Sequence, residues 1–224
     1  AIVINTPGNP SGKVFTRGEI ELIGALAERH DTFVITDEIY DHFLYDGHRH
    51  VSPASIEGLR ERTITIGGLS KTFAVTGWRT GFSASPARFA TALGYVNDLV
   101  YVCAPAPLQL GAARGLDALG ADFYDQLSRE FSSKRDRICT ALDRAGIAPH
   151  VPQGAYYVLA DTSRLPGQTS KQRAMFLLEK TGVASVPGEA FYTGHAGATL
   201  ARFCFAKTDA DLDEACRRLE TLAR

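Results

Sequence analysis

Short apolar runs alternate with helical patterns through the first part of the chain. Strand-sized apolar runs occur at four places: 1–5, 32–38, 62–68 and 80–85. Between the first two, apolar residues recur at helical spacing and end near His30, and Thr16 with Glu19 forms a capping-box pattern at the helix start. We therefore predict parallel strand–helix–strand units with helices on both faces of the sheet, and a buried first strand.

From residue 86 the pattern becomes helical, and after residue 152 it changes again. Three helices are predicted in succession: 86–100, 106–119 and 122–146. A smaller α+β arrangement follows, with strands at 155–161, 183–188 and 198–206 and helices at 170–182 and 209–223. We predict an α/β fold in two parts: the later part of a large domain over 1–140 and a small C-terminal domain over 141–224.

The composition excludes several classes of protein. The 224 residues are 45% hydrophobic and 22% charged, with a formal net charge of -1, which is enough for a real core. No basic stripe is present, so we expect no nucleic-acid partner, and no apolar run is long enough to span a membrane. The four cysteines form no CxxC pair, so we expect free thiols in a reducing cytoplasm and no metal site.

The first residues carry a separate expectation. "AIVINTPGNP" begins directly as an apolar strand, without an initiator methionine. We expect the chain to be the later part of a longer protein and, taken alone, an incomplete enzyme.

Five polar residues follow or flank the predicted strands: Asn9, Asp37, Tyr40, Lys71 and Arg79. In open α/β sheets, ligands bind outside the carboxyl ends of the strands, so we expect these side chains to meet at one edge. Each has an ordinary structural explanation by itself, such as a turn, a helix cap or a solvated loop. Their combination is what predicts a site.

An aldehyde cofactor with an acidic ring and a phosphate requires this set of side chains. Burial disfavours the charged form of a lysine, so the Lys71 amine becomes available to form an imine. Asp37 can keep a pyridine nitrogen protonated, Tyr40 and Asn9 can hydrogen-bond a phenolate oxygen, and Arg79 can grip the phosphate with two parallel bonds. The cofactor with these features is pyridoxal 5'-phosphate.

Six motifs extend over nearly the whole chain in one order. They are "NTPGNPSG", "ITDEIYDHFLYDG", "GLSKTFAVTGWRTGF", "PQGAYYV", "SVPGEAF" and "ARFCFA". With these motifs the chain resembles the class I/II aminotransferases of pyridoxal-phosphate fold type I. The stretch "YDGHRHVSPASIEGLRERTITIG" is most similar to the kynurenine/glutamine aminotransferase and cysteine-conjugate β-lyase branch.

The resemblance implies roles for particular residues. Lys71 would carry the Schiff base and shuttle a proton, while Asn9 would also lie near the substrate carboxylate. Arg202 matches the arginine that grips that carboxylate, although an arginine on a strand can also face water. Many relatives have serine where this chain has Gly68, with Ser70 directly before the lysine, which implies a weaker phosphate grip.

The implied function is transfer of an α-amino group from an amino acid to a 2-oxo acid, in a cytoplasmic homodimer. Two alternatives remain open from the sequence. One is a β-eliminating carbon–sulfur lyase that uses the same lysine and cofactor. The other is the aminotransferase-like sensor domain of a transcription regulator.

Overall fold

The computed structural model describes residues 1–223, which divide into two compact units. The first unit contains residues 1–7 and 14–127, and the second contains residues 8–13 and 128 onward. The division falls inside one long helix, Ala121–Arg144. The predicted assignment of a large domain to 1–140 and a small domain to 141–224 stays a prediction.

The first unit is built on a four-stranded sheet in the order β1-β2-β3-β4. The strands are β1 (Ile2–Asn5), β2 (Val34–Asp37), β3 (Thr63–Gly68) and β4 (Gly81–Ala84). The first three are parallel, as predicted, but β4 runs antiparallel to β3. The connection between them, residues 69–80, contains only short helical turns and no helix long enough to cross the sheet, and the chain returns beside β3 in the opposite direction.

Four of the five helices in the first part of the chain were predicted from the sequence pattern, and the short α2 was not. They are α1 (Arg17–Arg29), the short α2 (Leu69–Thr72), α3 (Ala87–Val100), α4 (Ala106–Ala118) and α5 (Ala121–Arg144). The predicted capping box is present: Glu19 N donates to Thr16 Oγ1 at 3.3 Å, and Thr16 N donates to Glu19 Oε2 at 2.8 Å. These bonds satisfy two backbone donors that a helix start leaves without partners.

One apolar cluster anchors α1 to the sheet. Its buried members are Ile4, Ile20, Ala27, Val34 and Leu59. Burying each large aliphatic side chain contributes roughly 1.5–3 kcal/mol. Val3, which alternates with Ile4 on edge strand β1, is 71% exposed. The prediction that the first strand is buried is therefore correct for one face and wrong for the other.

The second unit has its own four-stranded sheet, in the order β5-β6-β8-β7, with every pairing antiparallel. Its strands are β5 (Ala148–His150), β6 (Tyr157–Asp161), β7 (Val186–Pro187) and β8 (Leu200–Cys204), and its helices after α5 are α6 (Ser170–Thr181) and α7 (Asp209–Leu219). The sequence did not predict β5. Pro149 obscured it, since proline is confined to edge positions such as this one.

Two further features of residues 1–223 concern the cysteines and the length of the helices. All four cysteines are free thiols, with Cys103 exposed and Cys139 buried. Within residues 1–223, no helix is both long and apolar enough to cross a membrane.

Candidate active site

The end of β2 presents a carboxylate on a fixed backbone. The Asp37 carbonyl accepts hydrogen bonds from Thr6 N and from Asn5 Nδ2, both at 3.0 Å. Asp37 Oδ1 accepts from Ile39 N at 3.2 Å, and within residues 1–223 its Oδ2 accepts no hydrogen bond. The backbone is held from two sides, while one carboxylate oxygen stays available to a ligand.

Tyr40 lies one turn beyond Asp37 and is almost completely buried. It is 4% exposed, and its ring centroid lies 6.2 Å from that of Phe43 in an edge-on arrangement. A buried tyrosine in an edge-on contact has few positions open to it, so its hydroxyl is fixed by the packing of the ring.

Lys71 leaves the sheet at the same edge as Asp37. Asp37 pairs in register with Ile66 of the parallel strand β3, and α2, which carries Lys71, begins directly after β3. Lys71 is half-buried between the buried Ser70 and Thr72. Its Nζ forms no hydrogen bond or ion pair with any residue in the described part of the chain. A half-buried lysine whose Nζ has no partner in the protein is available to react with a ligand.

Packing inside the protein explains the two glycines that precede Lys71 by three and four positions. A Cβ on Gly67 would lie 2.3 Å from the Phe82 ring, which faces it across the β3–β4 pairing. A Cβ on Gly68 would lie 3.0 Å from the Ile39 side chain. The sequence pattern indicated that small residues here admit a flat cofactor. The structure adds that neighbouring side chains already occupy the space of a Cβ.

Arg79 adopts a backbone conformation that is unusual for a residue with a side chain. Its φ is +54° and its ψ +38°, in the left-handed region. Its Nη1 donates to Thr76 O at 2.9 Å, and Thr76 Oγ1 donates to Ser70 O at 3.2 Å. Thr76 therefore connects the turn that carries Arg79 to the helix that carries Lys71. Strained residues of this kind cluster at ligand sites.

Arg202 is the centre of a second group of side chains, in the second unit. Its guanidinium carbon lies 4.2 Å from the Tyr157 ring centroid and 4.8 Å from that of Phe191. Its Nη1 donates to Asn9 Oδ1 at 2.8 Å, while its buried Nε has no partner. The guanidinium therefore contacts two aromatic rings and Asn9, rather than water alone.

The segment 8–13, which carries Asn9, is fixed to the second unit through Gly12. Gly12 O accepts from both Gln153 N and Gly154 N at 2.9 Å, and its own N donates to Gly8 O at 2.8 Å. Gly12 has φ +67°, and a Cβ there would lie 2.2 Å from Pro152 Cβ. Only glycine fits this position, for both conformational and steric reasons.

The predicted site residues thus occur in two groups. Asp37, Tyr40, Lys71 and Arg79 belong to the first unit. The sequence grouped Asn9 with them because it follows the first strand, but the structure bonds it to Arg202. The resemblance had implied that second relationship as well.

Some residues around these groups were missed by the sequence reasoning. Tyr157 and Phe191 lie within the quoted motifs "PQGAYYV" and "SVPGEAF", so the motifs could have pointed to them. Glu38, His50 and Ser52 form a hydrogen-bonded set directly beside Asp37, in which Glu38 is buried and the other two are half-buried. No local spacing indicates that set, since its members are 12 and 14 positions apart.

Comparison with known proteins agrees with this fold. Residues 1–219 match the family model described as aminotransferase class I and II. The chain is 37% identical to kynurenine–oxoglutarate transaminase 3 of Rattus norvegicus, over 96% of this chain and 51% of that protein. It is also 37% identical to the aspartate aminotransferase of Pyrococcus abyssi, over 100% of this chain and 57% of that protein.

A solved structure extends the similarity to three dimensions. N-succinyldiaminopimelate aminotransferase from Mycobacterium tuberculosis superposes with a TM-score of 0.93 at 36% identity, over 99% of this chain and 58% of that one. The predicted fold class is confirmed: an α/β protein of the pyridoxal-phosphate fold type I. The chain belongs to the class I and II aminotransferase family and spans 51% to 58% of the length of these relatives.

Proposed function

We propose that the protein is a pyridoxal-phosphate-dependent aminotransferase that moves the α-amino group of an amino acid to a 2-oxo acid. The observation that carries this proposal is the partner-free Lys71 Nζ on the chain that leaves the sheet beside Asp37. The family match and the names of the relatives support it.

The side chains of the first unit fit pyridoxal 5'-phosphate. The free Oδ2 of Asp37, the buried Tyr40 and the strained, exposed Arg79 provide a carboxylate, a phenol and a guanidinium. When bound, the cofactor supplies an aldehyde for an amine and a ring that accepts electrons. Asp37 would hold a proton at the ring nitrogen, Tyr40 would donate to the ring oxygen, and Arg79 would bind the phosphate through parallel hydrogen bonds.

The second group of residues fits the substrate. Arg202 would receive the α-carboxylate on the guanidinium donors that have no partner in residues 1–223, among them the buried Nε–H. Asn9, already bonded to Nη1, would limit the orientation of the fork and would add a hydrogen bond to the ring oxygen of the cofactor. The rings of Tyr157 and Phe191 would limit tilting of the guanidinium. Two of its donors could then bind both oxygens of a carboxylate that lies in the guanidinium plane.

Lys71 would act as the acid and base of the reaction. Its amine would take the proton from the substrate Cα and would hold it for return on the far side of the substrate nitrogen. Release of the 2-oxo acid would also consume one water, and the amino nitrogen would stay with the enzyme. The same steps in reverse would transfer that nitrogen to a second 2-oxo acid. Ser70 and Thr72, both buried, limit the space in which the lysine chain moves.

The two alternatives from the sequence are not favoured. The relatives named above are aminotransferases, and neither a carbon–sulfur lyase nor a sensor domain is among them. A Lys71 Nζ without a partner in residues 1–223 and an Arg202 in contact with two aromatic rings favour an enzyme over a sensor domain.

The proposal includes a homodimer in the cytoplasm. The surface of α3 supports the homodimer, since Tyr95, Leu99 and Val100 are 73%, 86% and 80% exposed, and apolar patches of this kind mark interfaces. The four free thiols agree with a reducing compartment.

An isotope experiment tests the proposed reaction. The purified full-length protein, supplied with the cofactor, receives an amino donor whose nitrogen is labelled and an unlabelled 2-oxo acid. We expect the label in the amino acid formed from the 2-oxo acid, and no transfer by a Lys71→Ala variant. Label recovered as ammonia would identify a lyase, and label that stays in the donor across a panel of donors would contradict both enzymatic proposals.

A further inference from the structure

Glu38 is a charged residue in an unusual place. It is 7% exposed and is the one acidic side chain that is buried in residues 1–223. It follows Asp37 directly and precedes Tyr40 by two positions. A buried carboxylate destabilises a protein unless hydrogen bonds replace the lost water, so its partners reveal what it does.

Both carboxylate oxygens of Glu38 have partners from a distant segment. Oε2 lies 2.7 Å from His50 Nε2, and Oε1 accepts from Ser52 Oγ at 2.8 Å. Toward an ionised carboxylate, which accepts and does not donate, the tautomer with its proton on His50 Nε2 makes this contact a hydrogen bond. His50 Nδ1 is buried without a partner, so the imidazole has one hydrogen bond to the protein, and that bond is to Glu38.

The backbone of Glu38 is hydrogen-bonded within the turn that carries Asp37 and Tyr40, the two residues proposed to bind the cofactor. Its N–H donates to Ile66 O at 2.9 Å, which extends the β2–β3 pairing by one residue. Its carbonyl accepts from Asp41 N at 3.0 Å, and Phe43 N donates to Tyr40 O at 2.9 Å in the next turn. The chain therefore leaves the sheet at Glu38.

The surroundings of Glu38 are polar and close together. Burial raises the pKa of Asp41, the imidazoles of His42 and His50 lower it, and Glu38 raises it, so three neighbouring groups act electrostatically on the Asp41 carboxyl. The His42 ring stacks on Tyr124 at 4.2 Å between centroids. His50 and Ser52 lie in an irregular stretch where Pro53–Ser55 forms one turn of 3-10 helix. Glu38 thus bonds this stretch to the end of the sheet.

We propose that Glu38, with His50 and Ser52, is a positioning device for the cofactor-binding segment Asp37–Tyr40. The three side chains fix the exit of the chain from β2 and so fix the direction of the Asp37 carboxylate and the Tyr40 hydroxyl. A buried carboxylate whose two oxygens are both hydrogen-bonded selects one conformation, because each alternative leaves a buried charge unpaired. The inference rests on the proposed function for its consequence, but the restraint on the backbone is independent of it.

The first test compares Glu38→Gln, His50→Gln and the double variant in the protein loaded with the cofactor. The measurement is the pH midpoint of the change in visible absorbance of the cofactor. Asp37 and Tyr40 are the proposed hydrogen-bonding partners of that cofactor. We expect each single variant to shift the midpoint by about half a pH unit or more, and the double variant to shift it no further than the larger single effect, as a coupled pair does. Additive shifts, or an unchanged midpoint in Glu38→Gln, would overturn the proposal.

A matched control separates positioning from loss of stability. Thr63 Oγ1 donates to Leu59 O at 2.8 Å in a buried position at the start of β3, away from residues 37–41. Thr63→Val should lower the melting temperature and leave the midpoint as in wild type. If Thr63→Val shifts the midpoint as much as Glu38→Gln, the effect comes from general destabilisation and the proposal is wrong.

Hydrogen exchange gives a readout that needs no cofactor. In the cofactor-free protein, Glu38→Gln should speed amide exchange in peptides that cover Asp41 and Phe43 by at least roughly tenfold, while Thr63→Val should not. Unchanged protection in Glu38→Gln would refute the positioning role whatever the protein binds. A wild-type protein with no cofactor absorbance, but with this exchange pattern, would refute the proposed function and keep the positioning role.

Discussion

Arg202 Nη1 donates a 2.8 Å hydrogen bond to Asn9 Oδ1, although the two residues are 193 positions apart. The bond is possible because segment 8–13 belongs to the same compact unit as β8. It joins the residue proposed to bind the substrate carboxylate to one proposed to contact both substrate and cofactor.

Replacing Arg202 should weaken substrate binding far more than cofactor binding. In Arg202→Ala the carboxylate loses a charge-assisted, partly desolvated partner, a loss on the order of 2–5 kcal/mol. Arg202→Lys keeps the charge but loses the planar fork between Tyr157 and Phe191, so it should recover only part of the affinity. Titration of the cofactor absorbance with an unreactive amino-acid analogue measures both. Equal affinity in Arg202→Ala and wild type would contradict the assignment.

Replacing Asp37 should reduce turnover more than cofactor binding. Asp37→Asn keeps the shape and the hydrogen bond from Ile39 N, but removes the charge that would hold a proton on the ring nitrogen. We expect a drop of at least roughly 10²-fold in the single-turnover rate, comparable to the loss of an oxyanion-hole donor. A rate within a factor of two or so of wild type would show that the carboxylate has another role.

Gly12 should be required for the geometry of Asn9. Gly12→Ala places a Cβ 2.2 Å from Pro152 Cβ, and Gly47→Ala is a matched control, since Gly47 has a similar φ of +76° with nothing within 4 Å. Both variants carry the strain of a left-handed residue, about 1–2 kcal/mol. The steric overlap should add roughly 1–3 kcal/mol of instability in Gly12→Ala alone.

The measurements for this pair are the free energy of unfolding and the affinity for the substrate analogue. Gly12→Ala should be the less stable variant and should bind the analogue more weakly, because Pro152 and the segment 8–13 must move apart. Gly47→Ala should bind it like wild type. If the two variants behave alike in both measurements, the contact between Gly12 and Pro152 does not set the position of Asn9.

Two of the cysteines should differ strongly in reactivity. Burial raises the pKa of the Cys139 thiol to about 11, although Arg135 lowers it in part, so little thiolate forms near pH 8. Cys103 is exposed. Alkylation at pH 8 followed by peptide mapping should label Cys103 and spare Cys139 in the folded protein, and label both in denaturant. Labelling of Cys139 as fast as Cys103 without denaturant would disagree with its burial.

Much of the fold could be predicted from the sequence because the signals are local. The capping box of Thr16 and Glu19 marks the start of α1 within four residues, and the apolar run 62–68 marks β3 almost to its ends. The strand β5 was not predictable in this way. Pro149 is compatible with a strand only at an edge, and whether a strand lies at an edge is a property of the whole sheet.

The candidate site was predictable as a set of residues but not as an arrangement. The order of strands and polar residues placed Asp37 and Lys71 at one edge, since parallel strands bring their carboxyl ends together. The bond from Arg202 to Asn9 depends on the packing of Gly12 against Pro152, which no spacing in the sequence encodes. Glu38 was overlooked because its partners are contributed by an irregular segment.

The central claim is that Lys71 is the residue that reacts with the cofactor aldehyde. Borohydride reduction of the protein after incubation with pyridoxal 5'-phosphate, followed by peptide mapping, tests it directly. We expect one pyridoxyl label per chain, on the peptide that contains Lys71, and none in Lys71→Ala. A label on the exposed Lys13 or on Lys134, which is ion-paired with Glu130, in place of Lys71 would contradict the account.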